Sequence, residues 1–171
     1  MVHVKRQTFH PRFVAFRRCL WALILFAACA IPWAAEPVQF PGEFRIWVHV
    51  KTVVMMPGAN PQMTSEEGMH HIFANQKAAD GYASGDFPDG SIIVYELREA
   101  QQNNGVITEG DRRRVDVMIK DSSRYGATGG WRFERFWAND QAQDAIHDSG
   151  TGCFACHAKA KAHGFIFSQL H

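Results

Sequence analysis

Apolar and polar residues alternate through Phe44, Ile46, Val48 and Val50. This predicts a strand over Phe44–Val54, though so short a stretch also suits a helical turn. Met55–Gly68 holds Pro57, Gly58, Asn60 and Pro61 and reads as a loop. Met69–Ala74 is a short strand in which His70 and His71 point to opposite faces. Asn75 is a good N-cap for a helix running through Tyr82 and closed by Gly85. After the turn Pro88-Asp89-Gly90, the β-branched run Ser91–Leu97 has the look of an interior strand. Asn103-Asn104-Gly105 is a further turn. Arg113–Lys120 alternates cleanly, with Val115, Val117 and Ile119 on one face and Asp116, Met118 and Lys120 on the other. Past Gly126, Gly129 and Gly130, the segment Trp131–Trp137 reads as a last strand, and Gln141–His147 as a short helix. The sum is an α+β fold with an antiparallel sheet of about four or five strands and flanking short helices. The four long segments of 3.6-residue period that a helix bundle needs are missing from the pattern.

The N-terminus does not belong to that pattern. Lys5, Arg6, Arg12, Arg17 and Arg18 precede an uncharged stretch from Cys19 to Ile31, with small residues following at Ala34 and Ala35. This is the order of a secretory signal, so residues 1–35 are expected to be cleaved and 36–171 to form one exported, periplasmic domain. An uncleaved anchor, cleavage after Ala30, and lipid attachment at Cys29 are the alternatives. No apolar run beyond position 35 reaches the roughly 18 residues of a membrane span, so none is expected once the signal is gone. At 46% hydrophobic and 20% charged residues, the chain is not a disordered one. All 17 acids lie at Glu36 or beyond against 13 of the 18 Lys and Arg residues, so the domain carries −4 rather than the whole chain's +1. That balance argues against nucleic acid as a partner.

Of the four cysteines, only Cys153 and Cys156 fall in the domain, both within Cys153-Phe154-Ala155-Cys156-His157. C-x-x-C-H is the pattern of c-type haem attachment. Two thiols three residues apart reach the two vinyl groups on one porphyrin edge as thioethers, and the following histidine supplies an axial imidazole. A thioredoxin-like pair needs a βαβ unit, for which the last 15 residues leave no room. A zinc site needs further ligands, and a plain disulfide leaves His157 unexplained. The reading is one covalent haem c, held by Cys153 and Cys156, with His157 on the iron. No methionine follows His157, so a sixth ligand would come from upstream, among Met55, Met56, Met63, Met69, Met118, His49, His70, His71 and His147. Otherwise the position is open to small ligands. The run Arg112-Arg113-Arg114 reads as a solvated strand entry, with pairing of one arginine to a haem propionate as the alternative.

Several blocks together resemble the cytochrome P-460 family, including its cytochrome c′-β branch: Trp47–Val54, His70–Asn75, Gly85–Leu97, Val115–Phe136, Cys153–His157 and Phe165–Leu170. The resemblance covers nearly the whole domain. It implies an antiparallel sheet with flanking helices, a homodimer, and one haem c with His157 as proximal ligand and an open distal side. Hydroxylamine-oxidising members carry a lysine cross-linked to the porphyrin just before a stretch that corresponds here to Ser84–Gly90. In this chain Tyr82 and Ala83 stand there, and the nearest lysine, Lys77, is out of phase. The chain therefore looks more like the c′-β branch, whose members bind nitric oxide in a pocket capped by phenylalanines; Phe73 and Phe87 are the candidates for that cap. An apolar distal side would admit neutral diatomic or related nitrogen ligands and disfavour charged ones. A hydroxylamine-oxidising enzyme and a six-coordinate electron carrier with a redox partner protein are the rival expectations.

Overall fold

The computed structural model describes residues 38–138 and 150–170, with His3, Ile146 and Asp148. The expected signal segment, almost all of the expected helix over Gln141–His147, and His171 lie outside the described residues. Five strands form one antiparallel meander in chain order: β1 (Val48–Met55), β2 (Gly68–Ala74), β3 (Ile92–Asn103), β4 (Val106–Lys120) and β5 (Trp131–Trp137). Helix α1 (Gln76–Ser84) bridges β2 and β3, and helix α2 (Thr151–His157) follows β5. This is the expected α+β architecture. Among the described residues no helix is long and apolar enough to cross a membrane.

Local signals account for most element ends. The Asn75 side chain accepts from the Ala78 amide at 2.9 Å and Gly85 closes α1 in the left-handed conformation at φ 82°. Asn104 and Gly105 both take positive φ, the two-residue turn that matches strand twist. Because that turn continues the ladder, β3 and β4 extend past the expected Leu97 and back from the expected Arg113. Their distal residues are mostly exposed, polar side chains together with Val106 and Ile107, and so leave no core periodicity to read.

Phe44–Ile46, expected as the start of a strand, is a short 3-10 helix. Phe44 is 1% exposed and plugs one sheet face, whereas Ile46 is 81% exposed, so the apparent alternation does not place both on one side.

The sheet has an apolar cluster on each face. One joins Phe44, Phe73, Val94, Val115, Val117 and Phe136, covered by Val38, Phe40 and Trp47. The other joins Val50, Ala74, Ile93, Met118, Trp131 and Phe133 with α1 and the C-terminal tail through Ala78, Phe87 and Ile166. The split of β4, with Val115 and Val117 on one side and Met118 on the other, follows its alternation. The arginine run is a solvated entry only at Arg113, which is exposed. Arg114 is 4% exposed, and Arg112 bonds at 2.6 Å to Glu96, a carboxylate with no exposure at all. These guanidiniums face carboxylates on adjacent elements, which a linear reading does not reveal.

Candidate functional site

On the second face, between sheet and tail, lies a cavity of about 510 Å³. Its size falls in the range of small-molecule and cofactor sites. Ile72, Ile93, Met118 and Phe133 supply an apolar sheet floor, and Cys153, Cys156, His157, Ile166 and Phe167 supply the tail wall.

The tail is positioned from its start. Asp148 accepts from the amides of Gly150 at 2.9 Å and Gly152 at 2.8 Å, and Gly150 enters α2 at φ 78°. In the helix Cys153 and Cys156, three apart, share a face. Both thiols are free, Cys153 half-buried and Cys156 exposed. Burial pushes the Cys153 thiol up, which keeps it protonated.

His157 ends that helix and packs at 5.0 Å between ring centroids from Phe133 and at 5.1 Å from Phe167. Its Nδ1 lies 2.8 Å from the Phe165 carbonyl oxygen. A carbonyl only accepts, so Nδ1 carries the proton and Nε2 keeps a free lone pair. Burial lowers the ring's proton affinity, more than the Phe165 bond restores it, so the imidazole is neutral. A neutral imidazole oriented by a carbonyl through its other nitrogen is the form that binds iron.

The orienting carbonyl depends on an unusual backbone. Gly164 and Phe165 are both left-handed, at φ 63° and 69°. That turn aims Phe165 O at His157 and Gly164 O at Trp131 Nε1, 2.9 Å away.

Of the cavity's polar corner, the sequence singles out only Arg114, in its charge run, and Asp116, on the Met118 face of its strand. Arg114 donates through Nη2 to both oxygens of Glu66, at 2.6 and 2.5 Å, and through Nε to Asp116 at 3.0 Å. Arg135 donates to Asp116 at 2.6 and 2.8 Å, and the Tyr95 hydroxyl to Glu66 at 2.9 Å. Burial works against the Glu66 charge, but the Arg114 guanidinium outweighs it and holds the carboxyl below its ordinary range. Burial and the Glu66 carboxylate keep the Tyr95 hydroxyl protonated. Two cations and two anions thus pair with one another. The signal that could have found them is strand alternation, since Asp116 shares its face with Met118 and Arg135 shares its face with Phe133.

Cys153, Cys156 and His157 all line the cavity; Phe73 and Phe87 do not. Phe73 belongs to the cluster on the opposite sheet face. Phe87 packs edge-on to Tyr82 and Trp131, against Gly81, where a Cβ would come within 2.5 Å of its ring. Of the upstream histidines and methionines, Met63 and Met118 reach the cavity. His147 lies outside the described residues.

The donor set fits a haem: two thiols on one helical face, an adjacent imidazole with Nε2 free, and an apolar slot beside them. Among the described residues no group of three His, Cys, Asp or Glu side chains is gathered to hold a metal ion on its own, as a zinc site would require. No curated protein matches the chain. The Cytochrome P460 family model matches residues 41–168, from the entry to β1 through the haem motif to the tail. Fold, cavity and motif therefore coincide with that match, and the chain belongs to the cytochrome P460 family of haem-binding cytochromes.

Proposed function

We propose that this is an exported, periplasmic c-type cytochrome with one haem, bound covalently through Cys153 and Cys156 and ligated by His157, whose open sixth position takes nitric oxide or a related small nitrogen ligand. The observation that carries the reading is the His157 ring: Nδ1 is committed to Phe165 O, which leaves Nε2 aprotic, and the ring lines the same cavity as both cysteines. When bound, the haem supplies an iron with one coordination position available to a small ligand. Phe133 and Phe167 hold the imidazole from two sides. Ile72, Ile93 and Met118 keep the slot apolar. Arg114, Arg135, Glu66 and Asp116 pair among themselves and Glu134 pairs with Arg132, so the charges of the described residues lining the cavity are compensated. Both features favour neutral diatomics.

A hydroxylamine-oxidising role finds less support. No lysine is among the described residues lining the cavity, and Lys77 bonds instead to the Asp89 carbonyl at 3.2 Å. The six-coordinate electron carrier is favoured by one observation: Met63 and Met118 both line the cavity. Association into a homodimer belongs to the same proposal and rests on the family resemblance.

The test is the full chain matured in a host with a c-type haem assembly system. It should carry a mass of peptide plus one haem, retain haem through denaturing electrophoresis, and show a high-spin ferrous spectrum that changes on adding nitric oxide. A colourless product, or a Cys153→Ala/Cys156→Ala double variant that keeps its haem on the gel, would overturn the attachment. Low-spin spectra in both oxidation states, unmoved by nitric oxide, would select the electron carrier instead.

A further inference from the structure

The solvent side of the cavity is built from two segments. One is the tail with Cys156 and Phe167. The other is the connection between β1 and β2, residues 56–67, which lines the cavity with Gln62, Met63, Ser65 and Glu66. This connection is exposed from Met56 to Ser65 except at Asn60, and it contributes no residue to either apolar cluster. Hydrophobic burial therefore does not hold it down.

Its attachments to the sheet converge on Ser65, Glu66 and Glu67. Arg114 and Tyr95 grip the Glu66 carboxylate at 2.5–2.9 Å. His70 Nε2 donates to the Glu66 carbonyl, Arg113 to that of Glu67, and Arg114 Nη1 to that of Ser65 at 3.2 Å. Within the connection, Ala59 N–Met56 O at 3.0 Å, Met63 N–Asn60 O at 2.9 Å and Gly58 N–Glu67 Oε1 at 2.7 Å tie it into one body. The two sides of the clamp differ in how they are anchored. Arg114 is also held by Asp116, which Arg135 holds in turn, so the sheet side is braced three deep. Only the Glu66 side rides on a segment without a core.

We propose that Glu66 is a positioning residue that latches residues 56–67 across the cavity as a gate, and that release of this latch sets how fast a small uncharged ligand enters and leaves. The inference rests on the open haem site proposed above. Removing the charge of Glu66 takes away the charge-assisted bonds while the Ser65, Glu66 and Glu67 carbonyls keep theirs and Asp116 still anchors Arg114. The gate is thereby loosened, so passage changes and the iron's own ligand His157 does not.

The measurement is carbon monoxide binding to the ferrous holo-protein by flash photolysis and stopped flow. Glu66→Gln should raise the association and dissociation rate constants together by about tenfold, as expected for losing charge-assisted bonds, with their ratio moving far less than either. Tyr95→Phe removes one bond to the same carboxylate and should move both constants the same way, by about threefold. Unchanged rates in Glu66→Gln, or a change in dissociation alone, would overturn the gate; the second outcome would make Glu66 a contact of the bound ligand. Limited proteolysis reads the latch without any ligand: cleavage within residues 56–65 should be about tenfold faster in Glu66→Gln than in the wild type. Equal cleavage would sink the latch. A wild-type holo-protein that takes no carbon monoxide but whose Glu66→Gln variant is cut faster would instead fault the open iron site and leave the latch standing.

Discussion

His157 meets two requirements with one ring: Nδ1 fixes the orientation on Phe165 O, and Nε2 stays aprotic for iron. The sequence motif specifies the ring, but its partner lies eight residues on, at a left-handed non-glycine position that no local preference announces. The phenylalanines make the complementary point. Phe73 sits in the right segment but on the opposite sheet face, because a one-residue phase difference in a strand exchanges faces. Phe87 is on the cavity's face and packs against Tyr82, Trp131 and Gly81 instead of lining the cavity. Glu66 shows what a single carboxyl does to stability. Its folded-state pKa lies below the ordinary 4.5, so its contribution is complete above that value and disappears as the pH falls through the folded one. The difference in urea stability between the wild type and Glu66→Gln, measured from pH 7 to pH 3, should therefore shrink below about 4.5. A constant difference across that range would contradict the ion pair with Arg114.

At the scale of elements, the junction of β2, α1 and β3 is set by one side chain. Asn75 Oδ1 accepts from Ala78 N at 2.9 Å and from Ile92 N at 3.0 Å, while Nδ2 donates to Gly90 O at 2.9 Å. A cap alone is worth about 1 kcal/mol, and the two added bonds bring the expected loss for Asn75→Ala to about 2 kcal/mol in a denaturant titration. A loss below about 0.5 kcal/mol would mean that water replaces all three bonds. This element was legible in advance because both its caps are local. The lengths of β3 and β4 were not, because their outer halves are largely exposed and are held by the Asn104-Gly105 turn and the ladder it registers. The 3-10 turn at Phe44–Ile46 was misread for the opposite reason: its apolar spacing is real, but only Phe44 is needed by the core.

For the molecule as a whole, Glu96 is a point of assembly. Fully buried, it receives Arg45 from the entry segment at 2.7 Å, Arg98 from β3 at 3.1 Å and Arg112 from β4 at 2.6 Å. Glu96→Gln would leave Arg112 facing a neutral amide and Arg45 and Arg98 paired only with the half-exposed Glu109, so a destabilisation of about 3 kcal/mol is expected from urea unfolding. A change within about 0.5 kcal/mol would show that the arginines turn out to solvent. What the amino-acid sequence determined unaided is whatever depends on neighbours in the chain. That covers the thiol–thiol–imidazole triplet of α2, the alternation of β4 and β5, the caps of α1 and the turns, because these interactions span only a few residues. Only the tertiary structure decided which side chains share the cavity. Glu66 and Arg114 stand 48 positions apart, and Tyr82 and Ser168 stand 86 apart, in hydrogen-bond contact. The meander's register and the tail's return across one sheet face bring such pairs together, and neither is encoded in any single stretch of chain.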